Sequence, residues 1–154
     1  MDHPAHLLKQ LQGRARKRFG QHFLRDPGVI EAIIAEIAPA EGDTIVEIGP
    51  GQGAMTDRLA AYPVELHAIE IDRDLAAALR TRYADSSVVT IHEQDALRFD
   101  FTSLGNNLRV VGNLPYNIST PLLFHLLDQK ACIADMHFML QKEVVDRMAA
   151  APGS

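Results

Sequence analysis

Thr44-Ile45-Val46-Glu47-Ile48-Gly49-Pro50-Gly51-Gln52-Gly53 is the segment from which the architecture of this chain follows. Its first half is an almost continuous apolar run, which is typical of a strand buried on both faces. Three glycines in five positions follow, and glycine accepts the positive φ of a tight turn and lets a ligand approach the backbone. A helical pattern resumes at Ala54. The segment therefore predicts a strand, a glycine turn and a helix.

Strand and helix patterns alternate along the rest of the chain. Alternating strands and helices predict right-handed βαβ units and a doubly wound, mainly parallel sheet of the α/β class. The predicted strands are 44–48, 64–72, 88–92, 108–112 and 135–140. The predicted helices run from Pro27 to before Pro39, over 54–60, over 74–83, from Pro121 onward and over 143–149.

Capping residues predict where two of these helices begin, and apolar spacing predicts which of their faces are buried. Asp26 is predicted to cap the first helix, and Thr120 the fourth, each with proline at the first helical position. The apolar residues recur at helical spacing and are expected to face the sheet. They are Val29, Ile30, Ile33, Ile34 and Ile37 in the first helix, Leu75, Ala78 and Leu79 in the third, and Leu122, Leu123, Leu126 and Leu127 in the fourth.

Composition limits the class of protein. The chain has 154 residues, 47% of them apolar, which is enough for the core of one globular domain. No apolar run is long enough to cross a bilayer, and the start of the chain lacks the apolar stretch of a secretory signal. The single cysteine, Cys132, fits a reducing compartment, so we expect a cytoplasmic protein. The seven histidines lack ligand spacing, and no metal site is expected.

Charge is distributed unevenly along the chain. Residues 1–25 hold six basic side chains and one acidic side chain, although the whole chain has a net charge of −5. This basic arm precedes an acidic body, which indicates contact with a polyanion such as RNA. An ordinary solvated tail is the alternative interpretation of the same composition.

Three acids lie near the ends of successive predicted strands: Glu47, Glu70 and Asp95. Ligands of open α/β sheets bind beyond the carboxyl ends of the strands, so these side chains are expected to share a site. A carboxylate after the second strand can accept ribose hydroxyls, and one after the third can accept an adenine amino group. The pattern therefore favours a cofactor that contains a nucleoside.

A nicotinamide dinucleotide is the first alternative, because residues 49–54 loosely fit G-x-G-x-x-A and Glu70 follows at a suitable distance. Acids at Glu47 and Asp57 would repel a pyrophosphate, whereas a sulfonium cofactor with an ammonium group has no phosphate. Asp95 also has no assigned role in the dinucleotide scheme. These acids favour a cationic methyl donor.

Asn113-Leu114-Pro115-Tyr116 follows the fourth predicted strand. A conjugated exocyclic amine of a base is a poor nucleophile, so a site that methylates it must supply acceptors for its N–H groups. The Asn113 carboxamide oxygen and a backbone carbonyl near Leu114 suit that role. Pro115 fixes φ, and Tyr116 offers an aromatic face on which a flipped base can stack. This motif predicts methylation of an amine on a base.

The chain resembles the ribosomal RNA adenine dimethyltransferases. The resemblance rests on matching stretches that occur in the same order over nearly the whole chain. They are residues 17–24 (KRFGQHFL), 46–51 (VEIGPG), 70–72 (EID), 94–96 (QDA), 113–121 (NLPYNISTP) and 139–144 (MLQKEV).

The resemblance implies the Rossmann-like fold of class I methyltransferases and S-adenosyl-L-methionine as the cofactor. It implies dimethylation of two adjacent adenines in small-subunit (16S) rRNA during ribosome biogenesis, with the pre-30S subunit as partner. The cofactor pocket would be lined by His22, Leu24, Gly49, Gly51, Glu70, Ile71, Asp95, Ala96 and Asn113. The target amine would be held by Asn113, Leu114, Pro115 and Tyr116.

Members of this family continue with a final antiparallel hairpin and a helical RNA-gripping domain. We therefore expect residues 1–25 to form a basic arm and cofactor lid, and 26–154 an incomplete methyltransferase domain that binds cofactor but methylates weakly or not at all. The last predicted strand would lie at or near a sheet edge. Two alternatives stay open, namely a large-subunit (23S) rRNA methyltransferase of the antibiotic-resistance type and a non-catalytic RNA-binding assembly factor.

Overall fold

The computed structural model describes residues 26–140, with only the backbone of Tyr116 and Leu140. The strands are β1 Thr44–Ile48, β2 Glu65–Ile69, β3 Val89–His92, β4 Leu108–Leu114 and β5 Ile133–Leu140. They are all parallel and form one sheet in the order β3-β2-β1-β4-β5. The helices are α1 Pro27–Ile37, α2 Ala54–Leu59, α3 Arg73–Arg82 and α4 Tyr116–Asp128, with 3-10 turns at Phe101–Leu104 and Lys130–Cys132. The predicted parallel α/β architecture is confirmed.

Two apolar layers hold the helices on opposite faces of the sheet. On one face α1 and α2 bury Ile34, Ile37 and Leu59 against the sheet. On the other face α4 and the turn that contains Phe101 form a second apolar cluster. Since both faces are covered, β1 is buried along nearly its whole length, as its apolar sequence predicts.

Side-chain caps set the starts of α1 and α3. The Asp26 carboxylate accepts a hydrogen bond from the backbone N–H of Gly28 at 2.8 Å, with Pro27 as the first helical residue. Asp72 caps α3 in the same way, so this helix begins one residue earlier than predicted. Its buried face holds Ala76 and Leu79, whereas Ala78 is exposed, contrary to the predicted stripe.

The start of α4 differs from the prediction. Thr120 does not cap the helix, because β4 continues to Leu114 and Pro115, at φ −61° and ψ 148°, directly precedes the first helical residue. Pro121 lies inside α4, where it has no N–H to donate to the carbonyl of Asn117 four residues earlier.

The apolar stripe of α4 also shifts with this earlier start. Its fully buried members are Leu122 and Leu126, joined by Ile118, while Leu127 is 52% exposed and Phe124 is 66% exposed. The stripe was therefore predicted correctly at 122 and 126 and wrongly at 127. The buried residues follow at intervals of four, which is the spacing of one helical face.

The histidines of the strands and of α4 have partners within the protein. Nδ1 of His67 lies 2.9 Å from Nε2 of His92 across β2 and β3, and burial lowers the pKa of His92. His125 bonds the carbonyl of Phe99 at 2.7 Å, and His137 contacts Asp135 at 3.2 Å. Among residues 26–140 no three side chains of His, Cys, Asp or Glu are grouped to hold a metal.

Several predictions fall outside the described residues. These are the basic arm 1–25 and the helix 143–149. Of the described strands, β3 and β5 form the two edges of the sheet. Within residues 26–140, no helix has the combination of length and apolar character needed to span a membrane.

Candidate active site

The strand order places the switch point of the sheet at β1. From β1 the chain builds outward through β2 and β3, and then crosses to β4 on the other side. All strands are parallel, so their carboxyl ends meet at one edge, and the ligand crevice of an open α/β sheet is expected there between β1 and β4. The glycine loop after β1 and Asn113 near the end of β4 border this crevice.

The glycine loop depends on positive φ. Gly49, Gly51 and Gly53 have φ values of 68°, 62° and 89°. Residues with a Cβ rarely adopt this region, so the three glycines are required by the turn itself. At the base of the loop, the buried Glu47 accepts a hydrogen bond of 2.5 Å from the Thr56 hydroxyl, which joins β1 to α2.

Glu70 is the first residue after β2 and is fully buried. Its Oε1 accepts a hydrogen bond from the N–H of Gly51 at 3.1 Å, and its Oε2 accepts one from the N–H of Asp72 at 2.9 Å. The carboxylate predicted to bind ribose thus also fixes the glycine loop and the start of α3.

A small cleft lies between the ends of the strands and α4. Its cavity volume is about 20 Å³, well below the range for small-molecule sites. Its walls are mostly aliphatic, and the Asp95 carboxylate is among its few polar groups; Oδ1 of Asp95 accepts the N–H of Leu97 at 2.9 Å. The lining residues are Ile48, Ile69, Ile71, Gln94, Asp95, Ala96, Leu97, Ile118 and Leu122. An aromatic ring with an amino group suits the chemistry of these walls, and the cleft must widen to admit it.

The Asn113 motif begins within β4, beside β1. Leu114 and Pro115 are buried, and Asn113 is half-buried. Sequence reasoning missed Gly112, which pairs with Ile48 in the sheet. A Cβ at Gly112 would lie 2.8 Å from the carbonyl oxygen of Ile48, so glycine allows the two strands to approach. Its only signal in the sequence is its place directly before the motif.

Asp57 plays a different part from the one expected. Its carboxylate contacts the Arg82 guanidinium and the Tyr83 hydroxyl. Burial, together with Asp57, raises the pKa of Tyr83. Arg82 also donates to the carbonyl of Gln52 at 2.6 Å and so secures the tip of the glycine loop. The charge of Asp57 is compensated, and the case against a dinucleotide therefore depends on Glu47 and on Asp95, which has no role in the dinucleotide scheme.

Most of the predicted site residues lie at one edge of the sheet. These are Gly49, Gly51, Glu70, Ile71, Asp95, Ala96, Asn113, Leu114 and Pro115. Tyr116 begins α4 directly after them. His22 and Leu24 lie outside the described residues.

Comparison with solved structures agrees with this geometry. A dimethyladenosine transferase from Plasmodium falciparum is 28% identical and superposes with a TM-score of 0.70, over 84% of this chain and 46% of that one. The 23S rRNA methyltransferase ErmE is 27% identical with a TM-score of 0.70, over 79% of this chain and 48% of that one. The fold is thus that of Rossmann-like methyltransferases.

Sequence comparison gives closer relatives. "Ribosomal RNA small subunit methyltransferase A" of Aromatoleum aromaticum is 64% identical over 92% of this chain and 53% of its own length. The protein of the same name from Methylococcus capsulatus is 61% identical over 90% of this chain and 54% of its own length. The chain spans about half the length of these curated relatives. The family described as "Ribosomal RNA adenine dimethylase" matches residues 12–154, and the chain therefore belongs to the ribosomal RNA adenine dimethylase family.

Proposed function

We propose that this chain is the cofactor-binding and base-holding part of an S-adenosyl-L-methionine-dependent enzyme that dimethylates adenines of small-subunit rRNA. The observation that supports this most directly is the position of the Asn113 motif on β4, next to the carboxylate-bearing edge formed by β1 and β2. A methyl donor in the crevice would lie beside the group that holds its acceptor.

The cofactor would contribute an activated methyl group, and the described residues would bind and orient the cofactor. Glu70 would accept the ribose hydroxyls, and Asp95 would accept the adenine amino group in the cleft walled by Ile71 and Ala96. The positive-φ loop at Gly49 and Gly51 would bring the backbone close to the amino-acid end. Negative charge at this edge suits a donor that carries sulfonium and ammonium groups.

The Asn113 motif would hold the target amine. The Asn113 side-chain oxygen and the Leu114 carbonyl would accept its two N–H groups and draw the nitrogen towards tetrahedral geometry, while the base stacks on Tyr116. Methyl transfer moves positive charge onto that nitrogen, and the product cation then releases its proton to water. Rate enhancement would come from positioning and from acceptors aimed at the developing charge, with no strong general base.

The identity of the RNA is proposed from the relatives. Proteins named for the small ribosomal subunit are 55–64% identical to this chain, whereas ErmE, named for 23S rRNA, is 27% identical. We therefore favour small-subunit rRNA in the pre-30S particle over large-subunit rRNA, with the cytoplasm as the place of action. The basic residues of the arm 1–25 would contact RNA phosphates and close over the cofactor.

A chimeric enzyme tests this proposal without depending on the weak activity expected of the isolated chain. These 154 residues would replace the corresponding half of the 64% identical Aromatoleum aromaticum protein. We expect the chimera to transfer labelled methyl groups from S-adenosyl-L-methionine to adenines of unmethylated small subunits. Asn113→Ala should lower kcat/KM about 100-fold, comparable to the loss of one positioned polar group in other active sites. Mass spectrometry of the digested rRNA identifies the methylated base.

Asn106→Ala is the matched control, because Asn106 is exposed and lies before the start of β4, whereas Asn113 lies near its end. Its activity should stay within twofold of the parent chimera. Methylation of large-subunit rRNA, methylation of another base, or full activity in Asn113→Ala would each contradict the proposal. Stable small-subunit binding without methylation would favour the non-catalytic assembly factor.

A further inference from the structure

The side-chain amide of Asn117 is buried without a partner. Both Nδ2 and Oδ1 are inaccessible to solvent, and neither has a hydrogen-bond partner among the described residues 26–140. Buried amides are almost always paired, because an unpaired polar group costs the full desolvation penalty. The Asn117 amide therefore lies in an environment that lacks the group it is suited to bind.

The position of Asn117 connects it with the base-holding motif. It is the second residue of α4, which starts directly after Asn113, Leu114 and Pro115. The next residue, Ile118, lines the cleft between the strand ends and α4. The roles proposed above assign the cofactor's ribose and adenine to Glu70 and Asp95, and none of them uses this amide.

We propose that Nδ2 of Asn117 donates a hydrogen bond to a ring nitrogen of the target adenine, either N1 or N7. This inference rests on the proposed function. In that function the two amino hydrogens are accepted by Asn113 and Leu114, so the remaining polar atoms beside the amine are acceptors that need a donor. Guanine carries an N–H at N1 and a carbonyl in place of the amine. A bond to N1 would therefore contribute to the selection of adenine, whereas a bond to N7 would orient the base without distinguishing it from guanine, which has the same N7 acceptor.

The thermal stability of the 154-residue chain tests the first step. Asn117→Leu replaces the amide with an apolar group of similar volume and removes an unpaired polar group from the interior. We expect the melting temperature to rise by about 2–4 °C. An amide that supports the fold would give the opposite sign. Asn106→Leu, at an exposed position, should not raise the melting temperature.

RNA binding tests the second step. The chain is saturated with S-adenosylhomocysteine, and its affinity for a fluorescent hairpin with two adjacent loop adenines is compared with hairpins that contain 1-deazaadenine or 7-deazaadenine. For the wild-type chain we expect one of the two replacements to weaken binding about fivefold, which corresponds to one ordinary hydrogen bond. Asn117→Leu and Asn117→Asp lack the donor and should bind the deaza hairpins as well as the adenine hairpin. Asn117→Gln keeps a donor and should again bind the sensitive deaza hairpin more weakly, though by less than the wild-type chain.

The outcomes separate this inference from the proposed function. A lower melting temperature for Asn117→Leu, or equal deaza effects in wild type and Asn117→Leu, would overturn the role of Asn117. Wild-type binding that is unaffected by both deaza bases would do the same. If the wild-type chain fails to bind S-adenosylhomocysteine, or does not distinguish loop adenines from uridines, the proposed function itself is wrong.

Discussion

Replacement of Glu70 by alanine is expected to weaken binding of S-adenosyl-L-methionine on the order of 1000-fold, because hydrogen bonds to a charged group contribute about 1.5–3 kcal/mol each. The substitution removes the proposed acceptor of both ribose hydroxyls. It also releases the N–H groups of Gly51 and Asp72, which Glu70 holds at 3.1 and 2.9 Å. Calorimetric titration of the 154-residue chain measures the loss.

Two further variants show whether this effect belongs to the cofactor site. Glu70→Gln keeps the shape of the side chain and one acceptor oxygen, but it directs an amide N–H₂ at backbone N–H donors. The affinity of this variant for S-adenosyl-L-methionine should therefore fall between those of the wild-type chain and Glu70→Ala. Glu93→Gln removes an exposed acid after β3 that pairs with Arg80, and its affinity should stay within about twofold. If Glu70→Ala bound S-adenosyl-L-methionine with wild-type affinity, the assignment of Glu70 to the cofactor site would be wrong.

Replacement of Arg109 by methionine is expected to destabilise the fold by about 3 kcal/mol, the lower end of the range for removing one partner of a buried ion pair, because Asp43 and Asp135 are partly exposed. Arg109 is 15% exposed and donates to Asp43 at 2.8 Å and to Asp135 at 3.0 Å. It also donates to the carbonyls of Ile37 and Ala38 at the end of α1. The substitution would leave two carboxylates facing each other. Urea unfolding followed by circular dichroism measures the change.

The pKa shifts of this cluster add a test in acid. Hydrogen bonds with Asp135 raise the pKa of Arg109. Burial raises the pKa of Asp135, but the hydrogen bonds from Arg109 and His137 outweigh it, and the net shift is downward. A carboxyl group whose pKa is lowered by folding stabilises the protein at pH values above its pKa in the unfolded chain. That stabilisation is lost as the pH falls through the pKa of the folded state. The stability gap between wild type and Arg109→Met should therefore narrow below about pH 4.

A surface arginine provides the control for Arg109. Arg80 is 51% exposed and pairs with Glu93 at 3.4 Å, so Arg80→Met should change the free energy of unfolding by less than about 1 kcal/mol. Arg109→Lys keeps the charge but loses the bidentate geometry and should have an intermediate effect. Equal stability in Arg80→Met and Arg109→Met would contradict the structural role given to Arg109.

The parts of the fold that sequence predicted best are those determined locally. The apolar run of β1, the three glycines with positive φ and the Asp26 cap each depend on neighbours within a few residues. The alternation of strands and helices then predicted the parallel sheet, because a helix between two strands carries the chain back to the end of the sheet where the first strand began. Glu70 and Asp95 fell at the same edge for that reason.

The parts that sequence did not predict depend on contacts between distant segments. A charged residue near the start of β4 gave no sign that Arg109 joins the end of α1 to Asp43, just before β1, and to Asp135 in β5. Gly112 looked like an ordinary strand residue until its approach to Ile48 was known. The helix start at Tyr116 was missed because Thr120 and Pro121 formed a plausible local signal, which the continuation of β4 to Leu114 overrode.

The crevice between β1 and β4 is proposed to take a cationic methyl donor that has no phosphate. Calorimetric titration of the 154-residue chain with S-adenosyl-L-methionine and, in parallel, with NAD⁺ tests it most directly. We predict saturable one-to-one binding of S-adenosyl-L-methionine and no heat of binding from NAD⁺ over the same concentrations. Binding of NAD⁺ with equal or higher affinity, or no binding of S-adenosyl-L-methionine, would contradict it.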